Sequence, residues 1–328
     1  MDHRPESPGG TSLTTRLIWL IVLLYAAWVL LRLVPGDVGF WWVQLVAFTP
    51  YVALSSPVAL LLALLARRWV AGGAALAVCL VFAALVVPRM VGESPSGGGG
   101  PRLRVLAVNL LAGGAPAEEV VRLVRSVRAD VVAFQELSPD AVEAMERAGL
   151  DALLPNRVTE ARRGTRGSGI YSRFPVERVG LHDFGGFGQL VGRLDVEGVA
   201  VEMVSVHPCA PYVARLHACW GEGLDALSQT GGAARLLIGD FNATLDHARV
   251  RALLDAGYRD AAEVTGNGLQ TTWPALPRDF YGLPIPSVTI DHVLADSRTA
   301  IHAFSVHTLP NTDHKAVFAE LELPGPGN

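Results

Sequence analysis

The chain has 328 residues, of which 50% are hydrophobic, and its mean hydropathy of +0.33 excludes an ordinary soluble protein of this length. Only 6 of the 27 Lys and Arg and 4 of the 31 Asp and Glu precede residue 102, so the rest of the chain is acidic. An acidic domain argues against general nucleic-acid binding, which uses Lys and Arg to neutralise phosphates, although a local basic groove is compatible with it.

The first 91 residues are dominated by apolar runs, and a bilayer crossing takes about 20 apolar residues. The runs are at about residues 17–34, 40–66 and 70–87. A cleaved signal peptide is the alternative for the first run, but its apolar core is too long and two further runs follow it. We therefore predict an N-terminal membrane region, residues 1–91, with three transmembrane helices.

Basic residues predict the orientation of these spans. Arg4 and Arg16 precede the first span, only Arg32 lies between the first and second, and Arg67 and Arg68 lie between the second and third. By the positive-inside rule, the N-terminus and the second loop are cytoplasmic. We therefore predict a multi-pass protein of the cell membrane whose C-terminal domain is extracytoplasmic.

Residues 92–101 (GESPSGGGGP) are rich in Gly, Ser and Pro, which predicts a flexible tether and a domain boundary. The domain that follows is predicted over residues 102–323, with a short tail at residues 324–328. Within it, Cys209 and Cys219 are ten residues apart. An extracytoplasmic location would allow them to form a short-loop disulfide, and the alternative is two free buried thiols.

Strand and helix patterns alternate along the C-terminal domain, which predicts an α/β fold. The predicted strands cover residues 102–109, 130–136, 168–172, 235–240, 288–294, 300–308 and 315–323, with a hairpin over residues 190–206. One helix is predicted over residues 116–128 and another begins after Ser138 and Pro139, which are suited to an N-cap and a first turn.

Polar residues of distinct chemistry recur where these strands stop, and strand ends are where sheet proteins collect ligands. They are Asn109, Glu136, His207, Asp240, Asn242, Asp291, Asp313 and His314. Singly, each is more often a turn or cap residue. Together, carboxylate and amide oxygens suit Mg²⁺ or Mn²⁺, and the histidines can transfer protons near neutral pH. The set predicts metal-dependent hydrolysis of a phosphate ester.

Seven motifs follow one another along this domain: VNLLAG, FQEL, SGIYSRFP, SVHP, GDFNA, IDHV and TDHKAV. With them the chain resembles the endonuclease/exonuclease/phosphatase superfamily, which includes DNase I, apurinic endonucleases, neutral sphingomyelinases and inositol-polyphosphate 5-phosphatases. The match covers essentially all of residues 102–323. The resemblance implies a four-layer α/β (α+β) sandwich of two mixed β-sheets flanked by helices.

The resemblance also implies roles for the residues that match the motifs. Glu136 is the principal metal carboxylate, with Asn109 beside it and Asp313 as a further ligand, for Mg²⁺ or alternatively Mn²⁺. Asp240 orients or deprotonates the attacking water, and Asn242 is a donor to the water or to a phosphate oxygen.

The histidines complete the implied catalytic set. His314 contacts the phosphoryl oxygens or accepts a proton, and Asp291 holds its ring. His207 stabilises the transition state or protonates the leaving group. His292 departs from the Tyr or Arg usual near its position in the family.

The motifs indicate the reaction class more than the substrate. Four arginines are candidates for gripping phosphate or anionic headgroups: Arg162, Arg163, Arg166 and Arg173. A tethered outer domain would meet lipid phosphates at high local concentration, and three-span relatives known as VanJ-like proteins suggest a polyprenyl pyrophosphate. The alternatives are a surface nuclease acting on extracellular nucleic acid and a catalytically inactive lipid-binding domain.

Overall fold

The computed structural model describes residues 12–228, 232–280 and 282–325. Arg4, on which the predicted orientation partly depends, and the last three residues of the predicted tail lie outside that range. The chain divides into two compact units. One comprises Met1–Pro35 and Phe48–Val87, and the other comprises Gly36–Ala47 and Pro88–Asn328.

Helices dominate the first unit, and strands and helices alternate in the second. The helices are α1 (Leu13–Leu33), α2 (Gly39–Val46), α3 (Thr49–Ser55), α4 (Pro57–Leu65), α5 (Trp69–Val86), α6 (Ala117–Val127), α7 (Pro139–Arg147), α8 (His217–Asp225), α9 (Ala248–Asp255) and α10 (Ala261–Val264). The strands are β1 (Gly99–Asn109), β2 (Val131–Gln135), β3 (Asn156–Glu160), β4 (Ser168–Ser172), β5 (Val176–Phe184), β6 (Phe187–Val196), β7 (Val199–Val206), β8 (Ala234–Asp240), β9 (Tyr258–Asp260), β10 (Asp279–Phe280), β11 (Leu283–Pro284), β12 (Asp291–Asp296), β13 (Ala300–Thr308) and β14 (Lys315–Pro324).

The helices of the first unit pack through small residues, which let helix backbones approach closely. The buried cluster comprises Ile18, Val22, Ala59, Ala63, Ala71 and Ala75. Their other faces carry exposed leucines, such as Leu20, Leu24 and Leu61. Two helices, Leu13–Leu33 and Trp69–Met90, are each long and apolar enough to cross a membrane.

The structure divides the second predicted span, residues 40–66. Its first part, α2, ends at Val46, and the following helices α3 and α4 begin at Thr49 and Pro57. The reason is burial: Val43 is 1% exposed and belongs to the same buried cluster of the second unit as Trp220. Helix α2 therefore packs with the C-terminal domain, whereas α3 and α4 belong to the first unit.

The C-terminal domain is a four-layer sandwich of two mixed β-sheets with flanking helices, which confirms the fold predicted for this part of the chain, whereas the three transmembrane helices stay a prediction. One six-stranded sheet has the order β13-β14-β1-β2-β4-β3, and the other has the order β5-β6-β7-β8-β12-β9. Both are mixed, because β1 pairs in parallel with β2, and β7 with β8, among antiparallel neighbours. Residues such as Val105 and Ile238 fill the space between the sheets.

The outer layers follow from amphipathic helices. In α6, Val120, Val121 and Val124 recur at helical spacing and are buried in the cluster under the first sheet. Helix α7 begins where expected, since the Ser138 hydroxyl accepts a hydrogen bond from the Ala141 backbone N–H at 3.1 Å. Helices α8 and α9 were not predicted, and they contribute buried residues such as Trp220 to the cluster on the second sheet.

The predicted tether is held against the domain. The backbone N–H of Glu93 donates to Val264 and that of Gly98 donates to Arg298, each at 2.8 Å. Arg259 also binds the Glu93 carboxylate at 2.7 Å. The glycines here serve close packing, because a Cβ on Gly97 would lie 2.6 Å from the carbonyl oxygen of Arg298. This segment is therefore part of the domain surface and not a length of free chain.

Cys209 and Cys219 form a disulfide with a Cα–Cα distance of 5.8 Å, which confirms the first of the two alternatives for this pair. The bridge closes the segment that follows β7 onto α8. It therefore restrains the chain that leaves His207, a residue at one end of the sandwich.

A buried ion pair joins β12 to the end of β9. The Nδ1 atom of His292 lies 2.9 Å from Asp260 Oδ2 and its Nε2 atom lies 3.0 Å from the Ala243 carbonyl oxygen. Burial by itself would lower the pKa of His292, but the hydrogen bond and charge of Asp260 outweigh it and raise this pKa. His292 faces an acceptor with each ring nitrogen and is therefore a structural imidazolium.

Replacing His292 with Asn is expected to lower the free energy of unfolding by about 3–5 kcal/mol, because Asp260 is left buried without its cation. A histidine whose pKa is higher in the folded than in the unfolded protein stabilises the fold fully below its unfolded pKa of about 6.5. This stabilisation is lost as the pH rises through the folded-state pKa. The deficit of the variant should therefore shrink with increasing pH. Urea denaturation of the detergent-solubilised protein at pH 6 and pH 9 measures it, and an equal deficit at both would contradict the charged assignment.

Candidate active site

The predicted polar residues converge at one edge of the sandwich. The first sheet places Asn109 at the end of β1 and Glu136 directly after β2, which pairs in parallel with β1. Asp313 and His314 directly precede β14, the antiparallel neighbour of β1 on its other side. Parallel strands that end together and an antiparallel strand that begins beside them bring these four side chains to the same edge.

The second sheet contributes the facing residues by the same logic. Asp240 ends β8 and Asp291 begins β12, and the two are direct partners in the antiparallel register. His207 follows β7, which runs parallel to β8. Asn242 follows β8 by two residues, in a turn in which its backbone N–H donates to Asp240 Oδ1 at 2.7 Å.

Asp240 Oδ2 is the centre of the cluster. The Asn109 Nδ2 amide donates to it at 3.1 Å, and the Nε2 atoms of His207 and His314 each lie 3.6 Å away. Asn109 Nδ2 is also 3.3 Å from Glu136 Oε1. These side chains are all less than 10% exposed, so the cluster is a largely dry site at the sandwich edge.

The carboxylate of Glu136 is held by an unusual backbone conformation. Glu136 has a φ of +58°, in the left-handed region that residues with a side chain seldom adopt. Its Oε2 atom accepts a hydrogen bond from the Ala112 backbone N–H at 2.6 Å. Such strain occurs preferentially at functional sites, where the surrounding structure maintains it. The turn after β2 therefore aims this carboxylate into the cluster.

His314 is the cation of the site. Burial by itself would lower the pKa of His314, but the charges of Asp291 and Asp240 raise it to about 10. Its Nδ1 atom lies 3.0 Å and 3.1 Å from the two Asp291 carboxylate oxygens. Burial raises the pKa of Asp240 to about 7, against the opposing charge of His314. The site therefore combines a fixed imidazolium with a carboxylate that titrates near neutral pH.

His207 has the opposite character. Complete burial, reinforced by repulsion from His314, lowers the pKa of His207 to about 3. Its ring packs edge to face against Phe187, with ring centroids 5.6 Å apart. His207 is therefore a neutral imidazole, which can donate one N–H hydrogen bond but holds no acidic proton at neutral pH.

Two groups of residues offer ligands for a cation. Asp240, Asp291 and His314 can bring one donor atom each within 4.8 Å of one another. His314, however, is protonated and faces a carboxylate with each nitrogen, so its ring is unsuited to ligation. The other group is Glu136 with Asp313, whose Oδ1 atom is buried and has no hydrogen-bond partner in the described part of the chain. This unpaired carboxylate oxygen fits a hard cation.

Two residues beside the cluster were missed from the sequence. The Trp273 Nε1–H donates to Asp313 Oδ2 at 2.9 Å, and the Arg278 guanidinium lies 2.9 Å from the same oxygen. Arg278 also lies over the Trp273 ring, 5.6 Å from its centroid. Both are in the irregular segment before β12, where no periodic pattern marks them. Both bind Asp313 Oδ2, which leaves the buried Oδ1 atom as the oxygen without a partner in the described part of the chain.

The structure separates the four predicted substrate-binding arginines. Arg166 lies over the Phe187 ring at 5.7 Å from its centroid, so one aromatic ring separates it from His207. Arg162 is engaged by Glu160 and Asp183.

The other two arginines are not brought to the cluster. Arg163 is exposed in the loop before β4. Arg173 pairs with Asp130 at 3.1 Å, and Asp130 precedes β2, whose far end carries Glu136. Arg173 therefore lies at the opposite edge of the sheet.

The sandwich and its buried edge cluster define a DNase I-like α/β protein with a site of phosphoesterase type. The pattern of the Endonuclease/Exonuclease/phosphatase family matches residues 106–314, and the chain belongs to this family. Members of this family are hydrolases of phosphoester bonds that generally use a divalent metal. No curated protein matches the sequence.

Solved structures share the fold at low identity. A humanized D. rerio TDP2 with 14 mutations is 15% identical with a TM-score of 0.54, covering 67% of this chain and 98% of that chain. D. rerio TDP2 complexed with single strand DNA product is 16% identical with a TM-score of 0.53, over the same shares. The endonuclease/exonuclease/phosphatase from Beutenbergia cavernae DSM 12333 is 19% identical with a TM-score of 0.50, covering 68% of this chain and 72% of that chain.

Proposed function

We propose that the chain is a membrane-anchored, Mg²⁺-dependent hydrolase that releases phosphate from a lipid-linked phosphoester or pyrophosphate outside the cytoplasm. The observation that carries the hydrolytic part is the convergence on Asp240 Oδ2 of an amide and two imidazoles, with Glu136 beside them. Side chains from both sheets meet at this oxygen. Residues that merely ended or capped their own strands would not need to converge on one point.

In this mechanism Asp240 acts on the attacking water. Its Oδ1 atom is held by the Asn242 backbone N–H, which leaves Oδ2 turned to the centre of the site. A carboxylate with a pKa near 7 is well matched to accept the proton of water at neutral pH. As the new bond to phosphorus forms, the bond to the leaving oxygen breaks and that oxygen carries away the electron pair.

The two histidines stabilise the charge that the phosphoryl group carries. His314, held by Asp291, presents a fixed positive charge to the phosphoryl oxygens and does not serve as a base, because it is already protonated. His207 donates its N–H to an oxygen in the transition state, the first of its two predicted roles. The Asn242 side chain donates to the Pro208 carbonyl oxygen at 3.2 Å and so positions the turn after His207.

Glu136 and Asp313, with Asn109 beside them, would hold the metal. A bound divalent cation supplies charge neutralisation to the phosphate oxygens. The chain's own contribution is to fix these ligands: Ala112 binds the Glu136 carboxylate, and Trp273 binds that of Asp313.

Three features support an anchored, outward-facing enzyme. Two helices are apolar and long enough to span a membrane, and α3 with α4 would supply the third crossing. Arg67 and Arg68 follow α4, which suits a cytoplasmic loop. The Cys209–Cys219 disulfide suits an oxidising compartment.

Arg166 is the best-placed residue for a second phosphate. Among the described residues it has no carboxylate partner, and it lies against the ring that packs on His207. Arg166→Met is therefore expected to lower kcat/KM for a pyrophosphate substrate about 10-fold, the value of one charge-assisted hydrogen bond, and to change it little for a monophosphate. Arg193→Met, at a surface ion pair on β6, is the control. Equal losses on both substrates would remove Arg166 from the substrate site.

The substrate class is tested by phosphate release from undecaprenyl pyrophosphate in detergent with Mg²⁺, compared with cleavage of single-stranded DNA. We expect release from the lipid and little cleavage of DNA, because the domain is acidic. The second candidate is a surface nuclease, which the DNA-bound TDP2 structure favours by fold alone. Cleavage of DNA without release from the lipid would reverse the order, and no turnover of either would favour the inactive lipid-binding alternative.

A further inference from the structure

Helix α2 is fastened to the loops that leave the catalytic cluster. The Val43 carbonyl oxygen lies 2.9 Å from His247 Nε2, in the segment that follows Asn242. The Gln44 side-chain amide donates to the Pro211 carbonyl oxygen at 2.6 Å, in the segment that follows His207. In addition, Asp37 accepts hydrogen bonds from the backbone N–H groups at the start of α9. The helix therefore packs directly on both loops.

The other side of this helix is apolar and uncovered. Trp41 is 73% exposed, and Tyr212, which follows Pro211, is 67% exposed. A further pair, Met90 and Val91, is exposed next to Arg89, whose guanidinium binds Asp246 at 2.7 Å and 2.8 Å. We define the interfacial surface as these side chains with two more from the α2 segment: Val38, Trp41, Leu45, Met90, Val91 and Tyr212.

The chain itself indicates what covers this surface. Helix α1 ends three residues before Gly36, and α3 begins two residues after Ala47. Helix α5 ends just before the segment that carries Met90. The three connections between the two units are therefore made by chain segments that carry or adjoin side chains of the interfacial surface. Aromatic residues such as Trp41 and Tyr212 are the type enriched at the membrane–water interface.

We infer that the interfacial surface contacts the lipid bilayer at headgroup level, and that α2 is an interfacial helix and not part of a transmembrane span. This rests on the membrane anchoring in the proposed function. It follows that the segment Gly36–Ala47 and the catalytic domain lie on the same side of the membrane, because they pack together. An even number of crossings must then separate Ala47 from Pro88, which α3 with α4 and α5 supply.

The surface also places the site near lipid phosphates. Tyr212 is five residues from His207, and five residues span at most about 18 Å. His247 is likewise five residues from Asn242. The cluster therefore lies within about 18 Å, along the chain, of a side chain that we place at headgroup level. This narrows the proposed substrate class to phosphates that are presented at the surface of a lipid bilayer.

Spin labelling of the full chain in vesicles of phosphatidylethanolamine and phosphatidylglycerol tests the inference. Trp41→Cys is labelled in a Cys79→Ala background that retains the Cys209–Cys219 disulfide. We expect the label to be relaxed more by oxygen, which concentrates in lipid, than by a water-soluble nickel chelate. Val179→Cys, an exposed apolar position on β5, is the matched control and should show the reverse. Leu45→Cys gives a second reading if the first variant does not fold.

Three outcomes would overturn the inference. A label at Trp41 that behaves like that at Val179 would place α2 in water. Spin–spin broadening that grows with the protein-to-lipid ratio would show that a second copy of the chain covers the surface. Failure of the protein to float with the vesicles would contradict the anchoring as well. Because none of these readings uses turnover, they are independent of whether the site hydrolyses phosphate.

Discussion

Asp240→Asn is expected to lower kcat by about 10²- to 10⁴-fold, the usual contribution of a positioned general base. The amide has the shape of the carboxylate, and its oxygen can still accept from the Asn242 backbone N–H, so the fold is retained. It cannot take a proton from water. The loss is measured as the rate of phosphate release by the detergent-solubilised enzyme with Mg²⁺.

The same experiment has a pH signature. Since the carboxylate must be unprotonated and burial raises the pKa of Asp240 to about 7, the parental rate should rise as pH increases through that value. The residual rate of Asp240→Asn should lack this rise. Asp195→Asn, in the hairpin at the far end of β7, is the control and should keep both the rate and the rise. Parental activity in Asp240→Asn would remove the general-base assignment.

Removal of divalent metal with EDTA is expected to abolish turnover, and Mg²⁺ or Mn²⁺ should restore it. Glu136→Gln keeps the size of the side chain but removes its charge. We expect it to raise the metal concentration for half-maximal activity by at least roughly 10- to 100-fold. Loss of a residue that only supports a metal ligand already lowers metal affinity by that factor. The physical reason is that hard divalent cations prefer anionic oxygen ligands, and the amide of Gln offers a neutral oxygen in place of the carboxylate.

Glu177→Gln, at an exposed ion pair on β5, is the control for this variant. A thermal-unfolding titration with Mg²⁺ supplies a reading that does not need turnover, because a ligand that binds the folded state stabilises it. Full activity in EDTA, or an unchanged metal requirement in Glu136→Gln, would place the cation elsewhere or exclude it.

Much of the site could be read from the residues because each lies at a strand end with a recognisable pattern. Buried runs such as VVAFQ and RLLIG predict strands. The polar residues that directly follow these apolar runs stand out from the pattern and so mark candidate site positions. The parallel pairing of β1 with β2, which the structure supplies, then brings Asn109 and Glu136 together. The predicted hairpin also formed, with Glu197 and Gly198 both at positive φ in its turn.

Other features depended on contacts that no local pattern encodes. Apolar composition predicted a membrane span where α2 lies, because burial in a protein core and burial in lipid select the same residues. A Gly-rich segment was predicted to be flexible, yet glycine equally permits the close approach of Gly97 to Arg298. Arginine was predicted to bind phosphate, yet Arg173 satisfies the buried Asp130 instead.

The sequence by itself determined the alternation of strands and helices and, through its motifs, the family and the polar residue types of the candidate site, because hydrophobic periodicity and strand-end chemistry are local properties of the chain. Only the tertiary structure decided which oxygens face one another, which histidine carries the charge and which carboxylate oxygen is left for a cation. Those properties arise from burial and from distances between strands far apart in sequence, as with Asp291 holding His314. The position of α2 has the same origin, since its place is set by partners more than 160 residues away.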